Sequence, residues 1–205
     1  WTFLTSQSRY STVFEENMNE WFDIYSLTDP SEQEELQTER LTESIERVHA
    51  IVEEELRHVS ADRILLGGIS QGCATSVHAL LSAPWRLGAF VGFCGWLPFQ
   101  ADLKDAAKAP DDVHCRLAAF YQTRLGIRPP ASSSVLPSNT TFDSSAGPLQ
   151  TPVFLGHAMD DDVIDVALGR QLRDTIGAPG LDMNVVWKEY AKGGYQINEE
   201  AGTRI

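Results

Sequence analysis

Cysteines and long apolar stretches are both scarce in this sequence. The three cysteines, Cys73, Cys94 and Cys115, are an odd number without a C-x-x-C spacing, so we expect reduced thiols rather than disulfides. No apolar run approaches the roughly 20 residues that span a bilayer, and no charged segment followed by an apolar one opens the chain. These absences predict a cytoplasmic protein without stable membrane insertion.

Basic residues are also few. The chain has 16 lysines and arginines against 29 acidic residues, a formal net charge of −13. Nucleic acids and anionic membrane surfaces would be repelled by most of this surface, so we exclude both as partners. Small neutral or apolar ligands remain open, and the composition leaves the oligomeric state undetermined.

The apolar pattern predicts strands that alternate with helices, which is typical of an α/β fold with a mostly parallel sheet and helices on both faces. At 205 residues the chain suffices for a single domain, residues 1–205. Residues 128–150 are dominated by proline, serine, threonine and glycine, and we predict either a lid or a surface loop over residues 104–150. The predicted strands are 1–4, 63–67, 88–94, 151–156 and 183–190, and the predicted helices are 31–59, 73–81, 114–125 and 166–176.

The predicted helix that begins near Ser31 has one apolar face. Ser31 and Glu34 fit a capping box at its start. Its glutamates, including Glu53–Glu55, are expected to face water rather than to bind a metal. The apolar residues on the inner face are Leu41, Ile45, Val48, Val52, Leu56 and Val59.

The most informative motif is Gly68-Ile69-Ser70-Gln71-Gly72, a G-x-S-x-G sequence between a predicted strand and a predicted helix. In a nucleophile elbow this turn presents the serine hydroxyl above the sheet and directs the next N–H at the reacting carbonyl. Ser70 is therefore the candidate nucleophile, and the Gln71 N–H is a candidate oxyanion donor. A structural turn is the alternative, because glycine and serine are common in turns.

Other candidate site residues follow the ends of predicted strands. Trp96 comes after one strand, and Asp160, Asp161 and Asp162 come after another. Since ligands of open α/β sheets bind at the carboxyl ends of the strands, we expect these residues to meet Ser70 at one edge.

Histidine is the usual base for a serine nucleophile, but no histidine follows His157. We expect His49 and His58 on the surface, and His78 in packing or solvent on the helix behind Ser70. His114 and His157 remain alternative bases, the first because its loop could move and the second because it ends a strand beside the site.

With these residues together, the chain resembles the acyl-protein thioesterase, or phospholipase/carboxylesterase, family of α/β-hydrolases, and its fungal-type members in particular. The resemblance implies a Ser…Asp…His triad that hydrolyses acyl esters or thioesters of small molecules or lipidated proteins, with no metal or organic cofactor. It assigns the nucleophile to Ser70, the carboxylate to Asp161 with Asp160 as the alternative, and the acyl pocket to Trp96 and Leu97. The matching blocks are residues 21–24, 63–72, 94–98 and 156–158.

The sequence departs from this family at the third triad position. Tyr195 follows Gly193 and Gly194 where the family has its histidine. A phenol with a pKa near 10 is a poor acceptor for the serine proton at neutral pH, compared with an imidazole near 6.5. The family's first strand, which carries a glycine-rich oxyanion loop, and its closing helix are not recognised within residues 1–205.

Three functions therefore remain open at the level of sequence. The chain is an active esterase or thioesterase, a degenerate hydrolase that binds without turnover, or a catalyst of another reaction in which Tyr195 donates a proton.

Overall fold

A computed structural model describes residues 1–108, 113–127 and 147–194 of the chain. Strands and helices alternate after residue 64, as the sequence predicts. The strands are β1 (Gln7–Ser11), β2 (Glu16–Glu20), β3 (Leu65–Ile69), β4 (Ala89–Phe93), β5 (Val153–Ala158) and β6 (Val185–Tyr190), and the helices are α1 (Thr38–Glu55), α2 (Gln71–Leu81), α3 (Gln100–Ala107), α4 (Val113–Arg124) and α5 (Val166–Ile176).

The last four strands form one parallel sheet in the order β3-β4-β5-β6. Each strand pairs with the next along the chain, with Ile69 opposite Phe93 and Phe93 opposite Gly156. The carboxyl ends of β3, β4 and β5 therefore lie at the same edge of the sheet. The predicted α/β fold class is confirmed. The segments that follow these strands and carry the candidate site residues begin at this edge.

One face of the sheet packs against α2 and α5. A side chain added at Gly68 would collide with the α2 backbone, and one added at Gly92 would meet Cys73 of α2 and Leu155 of β5. On α5, Gly169 faces His157 of β5 in the same way. The opposite face is less covered, since Leu65, Ile69 and Val186 are 49%, 44% and 57% exposed.

Helix α1 presents its predicted apolar face to the core. Leu41, Ile45, Val48, Val52 and Leu56 are all buried, but Val59 lies beyond the end of the helix and is 38% exposed.

The predicted capping box at the start of that helix is wrong. The α-helix begins at Thr38 after a 3₁₀ turn, Glu34–Gln37. Ser31 donates instead to Asp29 Oδ1, and Glu34 accepts a hydrogen bond from the backbone N–H of Phe99. Ser31 is therefore used in a local turn with Asp29, and Glu34 in a long-range contact that the local sequence does not reveal.

A two-stranded antiparallel hairpin precedes α1, where the sequence predicted a strand at residues 1–4 and a loop after it. Residues 1–4 are not in a strand, and Trp1 and Phe3 are largely exposed. Strands β1 and β2 carry few apolar residues, so their pattern did not predict a sheet. Glu20 of β2 is buried and forms an ion pair of 2.6 Å with Arg40 of α1, which fixes the hairpin on the domain.

Two of the histidines belong to the core. His49 was predicted on the surface but is buried, with Nε2 2.8 Å from the carbonyl oxygen of Ala79. Of the two alternatives left open for His78, packing or solvent, the structure shows packing: the residue is fully buried. Its ring nitrogens lie 3.0 Å from the Tyr121 hydroxyl and 2.9 Å from the Pro98 carbonyl oxygen. His58 is exposed, as expected.

The burial of His78 predicts an acid-sensitive fold. Burial lowers the pKa of His78 to about 4, whereas an unfolded histidine titrates near 6.5. Between these pH values His78 binds a proton in the unfolded chain but not in the folded one. The free energy of unfolding is therefore highest above pH 6.5 and decreases as the pH falls toward 4. Acidification from pH 7 to pH 5 is expected to remove about 2 kcal/mol of unfolding free energy through this residue.

Urea unfolding of the wild type and of His78→Gln at pH 7 and pH 5 measures this contribution. The variant is expected to lose about 2 kcal/mol less on acidification. His58→Gln is the matched control, because His58 is exposed. Equal pH dependence in all three proteins would contradict the prediction.

Part of the segment 104–150, which was predicted to be a lid or a surface loop, belongs to the hydrophobic core. Helix α4 packs on α3, and its Leu117, Phe120 and Tyr121 are buried. The 3₁₀ turn Pro148–Gln150 is likewise buried at Pro148 and Leu149. The remaining residues of this segment, 109–112 and 128–146, lie outside the described residues.

Candidate active site

Ser70 occupies the sharp corner between β3 and α2. Its backbone has φ 55° and ψ −127°, a conformation that non-glycine residues rarely adopt. The Ser70 N–H donates to the Phe93 carbonyl oxygen at 2.9 Å, and the Ser70 carbonyl accepts from the Ala74 N–H at 3.0 Å. Backbone strain of this kind concentrates at functional sites, and the strand–turn–helix context expected for the motif is present.

The first glycine of the motif allows this corner to close. A Cβ on Gly68 would lie 2.3 Å from the carbonyl carbon and oxygen of Gly72, so β3 approaches α2 more closely than any side chain permits. A Cβ on Gly72 would meet only the Trp21 Nε1 atom, at 3.6 Å. The two glycines of the motif are therefore not equivalent.

Gln71 connects the corner to the segment after the hairpin. Its side chain accepts a hydrogen bond from Trp21 N at 2.9 Å and donates one to the Phe22 carbonyl oxygen at 3.0 Å. Gln71 is also the first residue of α2, where backbone N–H groups have no partner within the helix. This geometry supports the predicted oxyanion role of its N–H.

Asp161 lies in the loop after β5 with its side chain fully buried. Its Oδ1 accepts from Val163 N at 3.0 Å and from Ile164 N at 2.9 Å, which fixes the carboxylate. Its Oδ2 has no hydrogen-bond donor in suitable geometry in the part of the chain that the structure describes. A buried carboxylate oxygen without a donor is costly, so this atom is the natural partner of an imidazole or another donor.

The alternative carboxylate is placed differently. Asp160 is exposed, and its Oδ1 accepts from Gly194 N at 2.8 Å. This contact holds the end of the segment after β6 beside the loop that contains Asp160, Asp161 and Asp162, here called the acidic loop. The burial of Asp161 supports it over Asp160 for the triad role, while the predicted role of Tyr195 lies outside the described residues.

Cys94 separates Ser70 from Asp161 at this edge of the sheet. It directly follows Phe93, whose carbonyl holds Ser70, and its own N–H donates to Gly156 O of β5 at 3.0 Å. Its thiol lies close to the Asp161 carboxylate, and burial, followed by this acidic neighbour, raises the thiol pKa to about 12. No site role was predicted for Cys94 from the sequence, although its place at the end of an apolar strand could have indicated one.

His157 is held away from solvent at the end of β5. Its Nε2 lies 2.9 Å from the Ile164 carbonyl oxygen and 3.4 Å from Asp161 Oδ2, and the residue is 1% exposed. The ring also packs against Gly169 and Trp187. These contacts are typical of a structural histidine that orders the acidic loop, rather than of a base that exchanges protons with Ser70.

Trp96 and Leu97 lie beyond β4 at the same edge. Trp96 is 1% exposed and packs edge-on against Phe22, with ring centroids 6.0 Å apart. Both residues also line a cleft of about 250 Å³ with residues of α3 and α5. Among the described residues, neither Ser70 nor Asp161 lines this cleft, so its continuity with the nucleophile stays a prediction.

Membrane-spanning helices are absent from the described residues. None of the helices found there has the length and apolar character that crossing a bilayer requires.

Comparisons of sequence place this geometry in a known family. The family model described as phospholipase/carboxylesterase matches residues 1–126. Acyl-protein thioesterase 1 of Schizosaccharomyces pombe is 35% identical over 119 residues, which cover 57% of this chain and 51% of that protein. Acyl-protein thioesterase 1 of Yarrowia lipolytica is 28% identical over 185 residues, 90% of this chain and 64% of that protein. The chain thus spans between half and two thirds of these relatives.

Solved structures agree on the fold. Arabidopsis thaliana SOBER1 is similar with a TM-score of 0.67 at 19% identity, covering 98% of this chain and 78% of that one. Zea mays acyl-protein thioesterase 2 is similar with a TM-score of 0.63 at 24% identity, covering 97% and 74%. The chain belongs to the phospholipase/carboxylesterase family of α/β-hydrolases.

Proposed function

We propose that this protein is a serine hydrolase of acyl esters or thioesters, with Ser70 as the nucleophile and Asp161 as the triad carboxylate. One observation carries the proposal. Ser70 adopts φ 55° at the strand–helix corner, and the buried Asp161 carboxylate, with one oxygen lacking a donor among the described residues, lies on the other side of Cys94. This pairing of a strained serine with a buried carboxylate at one sheet edge is the arrangement that acyl transfer uses.

The reaction follows the usual two steps of acyl transfer. Ser70 Oγ attacks the acyl carbonyl carbon and gives its proton to a base, while the Gln71 N–H stabilises the negative oxygen. The base returns that proton to the departing alcohol or thiol, which leaves a Ser70 acyl ester. Water then attacks this ester, and the acid is released with Ser70 regenerated. Asp161 would orient the base and stabilise its cation.

The substrate class follows from the relatives and from the surface charge. Two matched relatives are named acyl-protein thioesterase 1, so lipidated proteins are proposed substrates beside small acyl esters. The net charge of −13 disfavours nucleic acids and anionic membrane surfaces. Trp96 and Leu97 are proposed to contact the acyl chain through the cleft that they line.

The identity of the base limits the expected rate. Residue 195, at the position of the family's histidine, is a tyrosine. Loss of a triad histidine costs on the order of 10⁶ in turnover in a well-studied hydrolase, and a residual acceleration of about 10³ to 10⁴ over water remains. A second candidate function is therefore a binding protein that retains the site without useful turnover.

A fluorophosphonate probe tests the proposal directly. We expect covalent labelling of the folded wild type at Ser70, identified by peptide mapping, and no labelling of Ser70→Ala. Ser76→Ala is the matched control, because Ser76 is a buried serine on the same helix and is outside the elbow. Labelling of Ser76→Ala should equal that of the wild type.

The outcomes separate the two candidate functions. A folded wild type that is not labelled would rule out the hydrolase and leave the binding protein. Hydrolysis of a short-chain ester that disappears in Ser70→Ala would contradict the binding protein.

A further inference from the structure

Three side chains with metal-binding atoms converge beside the candidate triad carboxylate. Cys94, His157 and Asp161 each place one such atom within 4.8 Å of the other two. Cys94 directly follows β4, His157 is the second-last residue of β5, and Asp161 lies in the loop after β5. Cys94 and His157 are 2% and 1% exposed, and the Asp161 side chain is fully buried.

The unpartnered oxygen of Asp161 points to a ligand in this cluster. Oδ2 is buried and has no donor in hydrogen-bonding geometry among the described residues, although His157 Nε2 is 3.4 Å away. The Cys94 thiol also neighbours this carboxylate, and its interaction with Asp161 contributes to the raised thiol pKa. A cation held between the three groups would replace the thiol proton and give Oδ2 a partner.

The chemistry of the three donors matches zinc. Thiolate sulfur, imidazole nitrogen and carboxylate oxygen bind Zn²⁺ at about 2.3, 2.0 and 2.1 Å, so neighbouring ligand atoms in a tetrahedral site lie roughly 3.3 to 3.7 Å apart. The 3.4 Å between His157 Nε2 and Asp161 Oδ2 is already in this range. The thiolate and the carboxylate together supply two negative charges, which balance the charge of the ion.

Binding has two costs, which make the site weaker than a structural zinc centre. His157 must release its contact with the Ile164 carbonyl oxygen to expose the Nε2 lone pair. The Cys94 thiol must lose its proton, which its burial opposes, although coordination to a cation deprotonates a thiol outright. The result is a site that fills and empties with the zinc concentration.

We propose that Cys94, His157 and Asp161 form a reversible Zn²⁺ site. The binding itself is independent of any activity of the protein. Its consequence rests on the proposed function, because zinc on Asp161 Oδ2 would occupy the oxygen that serves the base and would inhibit acyl transfer. Zinc would thus act as an inhibitor of the hydrolase at its own carboxylate.

Metal binding is tested on the metal-stripped wild type by titration with ZnCl₂ in a calorimeter and with CoCl₂ in a spectrophotometer. We expect one bound ion and a sulfur-to-cobalt charge-transfer band in the near ultraviolet. Cys94→Ser should abolish the band and weaken zinc binding by at least about 100-fold, the upper end of the loss seen for supporting residues alone.

Cys115→Ser is the matched control, because Cys115 is exposed and is outside the cluster. It should keep both the band and the affinity. Asp161→Asn preserves the shape of the side chain and removes its charge, and it should also weaken zinc binding. It serves as the test variant if Cys94→Ser fails to fold. No cobalt–sulfur band in the wild type, or equal affinities in Cys94→Ser and Cys115→Ser, would overturn the proposal.

The fluorophosphonate assay distinguishes this inference from the proposed function. Labelling of Ser70 that zinc slows in the wild type and in Cys115→Ser, but not in Cys94→Ser, supports both. Zinc binding at the cluster without any Ser70 labelling leaves the site standing and removes the hydrolase. Ser70 labelling with no zinc binding at the cluster removes the site alone.

Discussion

Gly68→Ala is expected to destabilise the fold by about 3 kcal/mol or more, whereas Gly72→Ala should change the free energy of unfolding by less than about 1 kcal/mol. The added methyl at Gly68 would lie 2.3 Å from backbone atoms of Gly72 and 2.5 Å from Cys73 N, and backbone cannot move aside as a flexible side chain can. At Gly72 the methyl meets only Trp21, at an ordinary contact distance of 3.6 Å, and alanine favours the helix.

Urea denaturation followed by circular dichroism measures both effects. The two variants insert the same methyl group into the same motif, so each serves as the control for the other. Gly72→Ala should also retain labelling of Ser70 by the fluorophosphonate probe. Equal stability of the two variants would contradict the elbow geometry and with it the strained conformation of Ser70.

Tyr195→His is expected to raise ester hydrolysis by roughly 10³-fold, about 4 kcal/mol of transition-state stabilisation. The reason is chemical, since an imidazole accepts the serine proton at neutral pH and a phenol does not. Gly194, the residue before it in the chain, donates its N–H to Asp160 at 2.8 Å, which holds Gly194 itself beside the acidic loop. We expect a fraction of the full effect of a triad histidine, because a single substitution adds the base without adjusting the residues that would orient it.

Hydrolysis of a short-chain p-nitrophenyl ester gives the measurement, with kcat and KM determined separately. The increase should appear in kcat and should vanish in the double variant Tyr195→His with Ser70→Ala. Tyr195→Phe is the matched control, because it removes only the hydroxyl and supplies no base. Tyr195→His with wild-type turnover would contradict the proposed assignment of this position. Loss of turnover in Tyr195→Phe would indicate that the phenol itself takes part in the reaction.

The strongest sequence predictions concerned segments with a pronounced local pattern. The apolar face of α1 was correct from Leu41 to Leu56, because residues three and four apart share a side of a helix. The strands β3 to β6 were recognised from short apolar runs between turns. Local pattern was enough for these strands because short apolar runs between turn residues are typical of strands in a parallel sheet.

The predictions that failed concerned polar residues whose partners are distant in the chain. The hairpin was missed because β1 and β2 are mostly polar, and the buried Glu20 forms its ion pair with Arg40, twenty residues further along the chain. His49 was expected on the surface, but Ala79 of another helix accepts its hydrogen bond. Periodicity does not encode such partners, so sequence alone could not predict their burial.

The candidate site divides in the same way. The G-x-S-x-G motif between a strand and a helix was sufficient to indicate the corner at Ser70. The reason is that a sharp strand-to-helix turn requires small residues on both sides of the serine. The order of Ser70 and Asp161 along parallel strands was sufficient to bring both to one edge of the sheet. What the sequence could not predict was the surroundings of the Asp161 carboxylate, which lies beside the Cys94 thiol and the His157 ring.

By itself, then, the sequence determined the α/β architecture and the elbow, since both depend on local pattern and strand order, whereas Asp161 was nominated only through the resemblance to a known family. Only the tertiary structure decided that the Asp161 side chain is buried with one oxygen lacking a donor among the described residues, and that Cys94 and His157 lie beside it. The physical reason is register. Hydrogen bonds such as that from Cys94 N to Gly156 O align residues more than sixty positions apart, and no local pattern specifies that alignment.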